Sequence, residues 1–156
     1  MAGFPSASNI YLVCRSGTCL CALPIEQVLE TMRPLPTNAL SAMPPFMMGA
    51  TIVRGAVVPV LNLAQLVGGT EKGGPTRFVT LSLGARTVAL AVEHVLGVRT
   101  LNAQAVEDIP LLLQAVDTGS IAAITILDAE LLLFLRSARL VPDSLWAALD
   151  KQEPLL

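Results

Sequence analysis

The 156-residue sequence is poor in charged and aromatic side chains, which make up 14% and 4% of it. Its net charge is -2 and it has no cluster of Lys and Arg, whereas proteins that bind nucleic acids or anionic membranes carry a basic patch. We therefore expect neither kind of partner. Hydrophobic residues make up 53%, more than the core of one domain of this length easily hides, so some of them should face protein partners.

A hydrophobic run that could cross a membrane is also missing. The longest uncharged stretch, residues 34–53, contains four prolines, which would leave backbone groups unpaired inside a bilayer. This stretch predicts a loop. The N-terminus shows no charged region followed by an apolar run and a cleavage site. We expect a cytoplasmic protein that does not insert into a membrane.

Cysteine and histidine are scarce. Cys14, Cys19 and Cys21 lie around one predicted turn with C-x4-C-x-C spacing, and the single histidine, His94, is far away in sequence. A structural zinc needs four ligands, and three clustered cysteines do not make a disulfide framework. The sequence therefore predicts reduced cysteines packed as small hydrophobic side chains, with no metal or other cofactor.

Sequence motifs of common enzymes are absent as well. The chain has no G-x-S-x-G, no G-x4-G-K-[ST] and no evident Cys-His pairing. Catalysis needs polar groups that converge in a pocket, and this chain has few of them. We expect a protein that is not an enzyme.

The sequence does contain many short strand-like runs separated by glycine. Three pairs of runs have the form of β-hairpins: residues 10–14 with 19–23, 51–54 with 56–60, and 77–83 with 86–92. A further strand is expected over residues 120–127. Pro59 cannot donate a hydrogen bond to a neighbouring strand, so it predicts an edge or a bulge.

Helix signals are few and short. Pro24 begins a predicted helix in "PIEQVLE", Asn62 can cap "LAQLV", and Asp128 can cap "AELLLFL". A final helix is expected from about Asp143 to Lys151.

Two segments recur in the chain. "GTCLCALPIEQVLE" and "GARTVALAVEHVLG" match at an offset of 67 residues, and "VVPVLNLAQL" resembles "AITILDAEL" at an offset of 66. Two matches in the same order predict two similar β subdomains, each a small barrel, with Leu23 and Leu90 at equivalent inward positions. His94 raises the question of phosphorylation, but its counterpart in the repeat is Gln27, which favours an exposed polar position.

These segments together resemble the CheW-like domain, the family of adaptors that couple bacterial chemoreceptors to the histidine kinase CheA. The most specific part is G-x3-V-R-G-x2-V-P-V-x-[ND]-L, from Gly49 to Leu63, and the resemblance runs from about Ile10 to Leu135. It implies a mainly β fold of two intertwined five-stranded SH3-like β-barrel subdomains with a few short helices. The expected organisation is a flexible N-terminus over residues 1–9, one CheW-like domain over 10–140, and a C-terminal helix and tail over 141–156.

The chain departs from the family pattern at three places. Ile52 stands where the family usually has Asn, Glu93 stands where it has Asp, and the region around residues 109–116 is shortened. These departures bear on which partner is bound more than on the fold. A pilus-linked or other non-flagellar chemosensory system is as plausible as flagellar chemotaxis.

The resemblance also implies a partner-binding site. Arg54 would lie at a hairpin apex and contact the acidic side chain of Glu30, while Gly49 and Gly55 would permit tight backbone turns. The alternative for Arg54 is a solvated turn residue. Val28, Thr31 and Met32 match apolar or groove-lining positions, although Val28 also suits the core.

We therefore expect a non-enzymatic adaptor of a two-component system. Its partners would be the cytoplasmic tip of a chemoreceptor (a methyl-accepting chemotaxis protein) and a CheA-type histidine kinase, and self-association or ring assembly stays open. The alternative is a small β-barrel ligand-binding or assembly module unrelated to chemotaxis. An activating and an inhibitory role remain equally open.

Overall fold

The computed structural model describes residues 9–40, 43–67, 73–101, 107–108, 121–128, 130–135, 140–141 and 143–151. Three expectations lie outside these residues: the N-terminus before Asn9, the tail beyond Lys151, and the shortened region around 109–116.

Strands make up most of the described chain. In order they are β1 (Ile10–Ser16), β2 (Cys19–Pro24), β3 (Val28–Met32), β4 (Met47–Val53), β5 (Ala56–Asn62), β6 (Arg77–Leu83), β7 (Arg86–Val92), β8 (His94–Thr100), β9 (Glu107–Asp108), β10 (Ile121–Leu127) and β11 (Glu130–Leu135). The helices are a 3₁₀ turn (Ile25–Gln27), α1 (Leu63–Leu66) and α2 (Asp143–Lys151).

The strands form two sheets that exchange strands. Sheet A has the order β8-β1-β2-β11-β10-β9, and sheet B has the order β3-β6-β7-β5-β4. The third strand of each half therefore pairs with the hairpin of the other half, since β3 pairs with β6 and β8 pairs with β1. This exchange confirms the predicted mainly β fold with two intertwined SH3-like subdomains. Sheet A has six strands rather than five, because the two-residue β9 adds to β10.

The first repeat seen in the sequence corresponds to a structural repeat. The hairpin of β1 and β2 has its counterpart in β6 and β7, which begin at residues 77 and 86 instead of 10 and 19. In both sheets the second hairpin strand also pairs in parallel with a strand distant in the chain: β2 with the later β11, and β7 with the earlier β5. Parallel pairing needs a long connection, and each of these two connections contains at least one other strand.

Alternating side chains divide the interior into three cores, because successive residues of a strand face opposite sides of its sheet. The shared core lies between the sheets and includes Leu12, Cys14, Cys21 and Leu23 from sheet A and Val79, Leu81, Val88 and Leu90 from sheet B. Inner core A contains Tyr11, Val13, Leu20, Ala22, Leu132 and Phe134. Inner core B contains Val58, Val60, Phe78, Ala89 and Ala91.

The prediction for Leu23 and Leu90 is confirmed. Both side chains are fully buried, and both belong to the shared core. The two halves of the chain are thus joined by one continuous apolar interior.

Two predicted helices are wrong. Residues 130–135 of "AELLLFL" form strand β11, in which Leu132 and Phe134 face inner core A while Leu133 and Leu135 face the shared core. A strand buried on both faces is a continuous apolar run, which periodicity alone does not distinguish from a buried helix. "PIEQVLE" forms only the 3₁₀ turn before β3 begins at Val28.

The second sequence match is also not a structural repeat. After β5 the chain enters α1, where Asn62 Oδ1 accepts a hydrogen bond from the Gln65 amide at 3.1 Å as predicted. After β10 the chain instead turns at Asp128, φ 51°, into β11. The parallel pairings identify β11 as the counterpart of β5.

Of the edge or bulge predicted for Pro59, the edge is wrong, whereas the pair of β4 and β5 does have a register irregularity between Met47 and Gly49. Strand β5 lies between β7 and β4 and is not an edge strand. Pro59 is tolerated there because the parallel register with β7 covers only Val60 to Asn62. The predicted loop of residues 34–53 also ends early, since β4 begins at Met47.

The predicted C-terminal helix is confirmed as α2. Leu149 is buried, and Leu145 and Trp146 pack against the shared core. Arg86 of β7 lies over the Trp146 ring, with its Cζ atom 4.6 Å from the ring centroid, which is within the range of a cation-π contact.

Candidate functional site

Arg54 lies at the apex of the hairpin formed by β4 and β5. Arg54 and Gly55 have φ angles of 52° and 83°, the signs that a two-residue type I′ turn requires. Glycine adopts such angles without cost, but an arginine rarely does. Its strained backbone holds Arg54 at one fixed place beyond the end of both strands.

The side chain of Arg54 reaches back to β3 and contacts Glu30. Arg54 Nε donates to Glu30 Oε2 at 3.1 Å, and Arg54 Nη2 donates to Oε1 and Oε2 at 2.9 Å each. This bidentate contact fixes direction as well as distance. The side chains of Arg54 and Glu30 are 77% and 32% exposed, so the pair lies at the surface. It links the hairpin of β4 and β5 to β3, and β3 and β4 are the two edge strands of sheet B.

A groove of about 440 Å³ lies beneath this ion pair. It is lined by Leu29, Glu30, Val53, Arg54, Ala56, Val58, Thr80 and Thr87. Val58 also belongs to inner core B, so the groove is the open end of that core. Its floor is apolar with two threonines, and its rim carries one charge of each sign.

The structure brings only part of the predicted site together. Glu30 and Arg54 line the groove, and Gly55 forms the turn beside them. Val28 packs against the shared core, Met32 packs against inner core B, and Thr31 is exposed. These three residues share a strand with Glu30 without lining the groove.

Gly49 has a structural position away from the groove. Its φ is 140°, and a Cβ built on it would lie 2.4 Å from the backbone oxygen of Asn38. Asn38 and the neighbouring Ala50 exchange two backbone hydrogen bonds of 2.9 Å. Glycine is therefore required at position 49, because the backbone of the segment before β4 passes close to β4 there.

Leu29, Val53, Thr80 and Thr87 were missed by sequence reasoning. Leu29 lies at an irregularity of the register between β3 and β6 and is 56% exposed. An exposed leucine beside an acidic residue was the only available signal, since the other residues come from strands whose pairing the sequence does not reveal.

Sheet A has two ion pairs in the corresponding region. Arg99 Nη1 lies 3.3 Å from Asp128 Oδ2, so a turn residue with positive φ again contacts the exchanged strand, with the charges reversed. Arg15 makes two hydrogen bonds to Glu130, of 2.6 and 2.9 Å. The hydrogen bond from Arg15 lowers the pKa of the Glu130 carboxyl.

The cysteines have the properties expected of packing residues. Burial raises the pKa of the Cys14 thiol to about 12 and also raises that of Cys21, which disfavours the thiolate that metal binding and nucleophilic chemistry need. All three cysteines are free thiols. Within the described part of the chain, no group of three His, Cys, Asp or Glu residues could hold a metal ion.

A family comparison identifies the protein that carries this arrangement. The model of the CheW-like domain matches residues 11–144, which include both sheets, the groove and the ion pair. The chain belongs to the CheW-like domain family. Members of this family are non-enzymatic adaptors and scaffolds of chemotaxis-type signalling.

Individual relatives agree with this assignment. Protein FrzA of Myxococcus xanthus is 36% identical over 87 residues, which are 54% of this chain and 54% of FrzA, so the matched region spans about half the length of that relative. The crystal structure of the scaffolding protein TtCheW from Thermoanaerobacter tengcongensis superposes with a TM-score of 0.70 and 21% identity, covering 81% of this chain and 88% of TtCheW. This likeness shows the shared fold.

The described part of the CheW-like chain contains no helix long and apolar enough to span a bilayer.

Proposed function

We propose that this CheW-like protein is a cytoplasmic adaptor that couples a chemoreceptor to a CheA-type histidine kinase. The groove of sheet B would receive the helical hairpin tip of the receptor, with Leu29 and Val53 contacting its apolar side chains. The observation that carries this assignment is the bidentate contact between Arg54 and Glu30 at the groove rim.

The ion pair holds the two sides of the groove together. Arg54 belongs to the hairpin of β4 and β5, whereas Glu30 belongs to β3 at the opposite edge of sheet B. A guanidinium with two parallel bonds holds these edges at a fixed separation, which a lysine would not do. We propose that Val28, Thr31 and Met32 hold Glu30 in register, and that Gly49 and Gly55 shape the hairpin that carries Arg54.

We propose a separate contact for the kinase. Large apolar side chains are exposed on several strands, among them Ile52 on β4, Leu96 and Val98 on β8, and Leu131 on β11. Strands β4 and β8 are also sheet edges, and exposed apolar edges favour pairing with another chain. The homologous regulatory domain of the kinase fits such a surface, and residues 10–140 would act in this contact as one unit.

Co-purification tests the proposed coupling directly. The full chain is incubated with the candidate kinase from the same operon, with the kinase lacking its regulatory domain, and with a receptor cytoplasmic fragment. We expect retention of the intact kinase and the receptor fragment, and no retention of the truncated kinase. Binding of neither partner would refute the proposal.

Salt separates an apolar kinase contact from an ionic one. Exposed charges are strongly screened when ionic strength rises from 0.01 M to 1 M, because the Debye length falls from about 30 Å to about 3 Å. We expect the kinase complex to persist at high salt. Its complete loss there would show that charge dominates the interface.

A further inference from the structure

Glu93 is the single residue between β7 and β8, which belong to different sheets. Strand β7 ends at Val92 in sheet B, and β8 begins at His94 in sheet A. The chain therefore crosses from one sheet to the other within one residue. Glu93 is only 6% exposed, and a buried carboxylate is costly unless hydrogen bonds compensate it.

The carboxylate of Glu93 meets this requirement by binding both halves of the molecule. Its Oε1 atom accepts a hydrogen bond of 2.6 Å from the amide of Gly17, in the turn between β1 and β2 of sheet A. Its Oε2 atom accepts one of 2.9 Å from the amide of Gly73, in the segment that leads into β6 of sheet B. Hydrogen bonds to an ionised carboxylate are stronger than those between neutral groups.

Backbone hydrogen bonds attach Glu93 to the same two segments. Its amide donates to the Arg15 carbonyl at 3.1 Å and to Ser16 Oγ at 3.2 Å. The hydroxyl of Thr76 donates to the Glu93 carbonyl. Glu93 is therefore held on one side by the end of β1 and on the other by the approach to β6.

The opposite crossing, from sheet A to sheet B, is built differently. It uses the three residues of the 3₁₀ turn between β2 and β3, and Glu26, the counterpart of Glu93 in the sequence repeat, is exposed. Only one of the two crossings thus contains a buried carboxylate, so its role is not explained by the repeat.

We infer that the Glu93 carboxylate is a positioning group that fixes the orientation of sheet A relative to sheet B. The consequence for signalling rests on the proposed function. The orientation of the sheets determines where a receptor in the groove of sheet B lies relative to a kinase held partly by sheet A. Loss of the carboxylate then weakens communication between the two partners more than it weakens the binding of either one.

The first test needs no partner. In Glu93→Gln the side-chain oxygen can accept from only one amide, while the side-chain NH₂ group opposes the other amide with a second donor. We expect hydrogen exchange at Gly17 or Gly73 to rise about tenfold. Residual dipolar couplings should show a changed orientation of one hairpin relative to the other in the variant.

Two further variants complete this test. Glu93→Asp keeps the charge and both acceptors on a shorter side chain, and should show intermediate exchange. Glu26→Gln, at the exposed counterpart, should leave both amides and the relative orientation of the hairpins unchanged. An unaltered orientation of the two hairpins in Glu93→Gln would overturn the inference.

The second test adds the receptor fragment and the kinase. Glu93→Gln should bind each partner separately within about twofold of the natural protein, a change of only about 0.4 kcal/mol, while receptor control of kinase activity is lost. Partial rescue by Glu93→Asp is expected. If the natural protein binds neither partner, the proposed function fails, whereas the exchange and dipolar-coupling result still decides the role of Glu93.

Discussion

Arg54 combines a costly backbone with a weak ion pair. A non-glycine residue in the left-handed region costs about 1–2 kcal/mol, whereas an exposed pair contributes about 0.2–1 kcal/mol. Since Arg54 is 77% exposed, the ion pair does not compensate for the conformational cost of its backbone. Its physical consequence is the fixed separation of the hairpin apex and β3, which makes a functional role more plausible than that of a solvated turn residue.

The first prediction concerns this ion pair. Arg54→Ala and Glu30→Ala should each weaken receptor-fragment binding about tenfold, equivalent to about 1.4 kcal/mol, because either change frees the groove rim. The double variant should be little weaker than a single one, since both changes remove the same interaction. Isothermal titration calorimetry with the receptor fragment measures all three.

Arg99→Ala is the matched control for Arg54→Ala. It removes an exposed arginine from a similar pair with Asp128 in the other subdomain, and should leave receptor binding unchanged. Full additivity of Arg54→Ala and Glu30→Ala, or unaltered binding by Arg54→Ala, would mean that Arg54 is a solvated turn residue after all.

The second prediction compares the stability of alanine variants at two glycines of the same hairpin. Gly49→Ala should destabilise the fold by about 3 kcal/mol or more, because strain from the positive φ adds to a clash with the Asn38 backbone. Gly55→Ala has a positive φ but nothing within 4 Å of the added Cβ, so about 1–2 kcal/mol is expected. Urea unfolding measures the free energy of unfolding of both variants. Equal losses of stability would contradict the close approach of the Asn38 backbone to Gly49.

At the scale of residues, the sequence predicted the ion pair but not most of the residues that line the groove. The contact between Glu30 and Arg54 followed from the resemblance to a known family. Thr80 and Thr87 line the groove because β3, β6, β7 and β5 pair in a specific register. Strand registers of this kind depend on contacts distant in sequence, which local patterns do not contain.

At the scale of elements, local turn signals predicted the hairpins well. Strands β6 and β7 match their predicted bounds, and α1 begins after the predicted cap. The failures are β11 and the helix expected after Pro24. In β11, burial of both faces removes the alternation that identifies a strand, and beyond Pro24 pairing of β3 with β6 overrides the helix signal.

The third prediction concerns α2. Leu149→Ala should reduce the free energy of unfolding by about 2–4 kcal/mol, because Leu149 is buried against the shared core. Trp146 is the only tryptophan of the chain, so its fluorescence reports the docking of α2. Ser144→Ala, at an exposed position of the same helix, should leave stability nearly unchanged.

The fluorescence and circular-dichroism transitions of the natural protein should coincide, because Leu149 of α2 is buried in the core that both sheets share. A fluorescence transition at lower urea than the loss of strand signal would show that α2 undocks independently. Equal stability of Leu149→Ala and Ser144→Ala would contradict the packing of α2.

At the scale of the whole molecule, two halves are interlocked by exchanged strands. The 67-residue repeat predicted their similarity and the family resemblance implied that they are intertwined, but neither identified β3 and β8 as the strands that complete the other sheet. Exchange and simple juxtaposition bury the same apolar pattern, so a sequence repeat alone does not distinguish them. The exchange makes the shared core, instead of a linker, the connection between the subdomains.

The last prediction follows from that shared core. Leu23→Ala removes a fully buried side chain of sheet A from the shared core, which also contains residues of sheet B, and should cost about 2–5 kcal/mol. Because both sheets depend on the same core, hydrogen-exchange protection should fall equally in the hairpin of β1 and β2 and in that of β6 and β7. Leu131→Ala, the same substitution at a side chain that is 56% exposed, should change stability by less than about 0.5 kcal/mol. Loss of protection confined to sheet A would mean that the subdomains unfold independently, and that the exchanged strands do not bind the two halves into one cooperative unit.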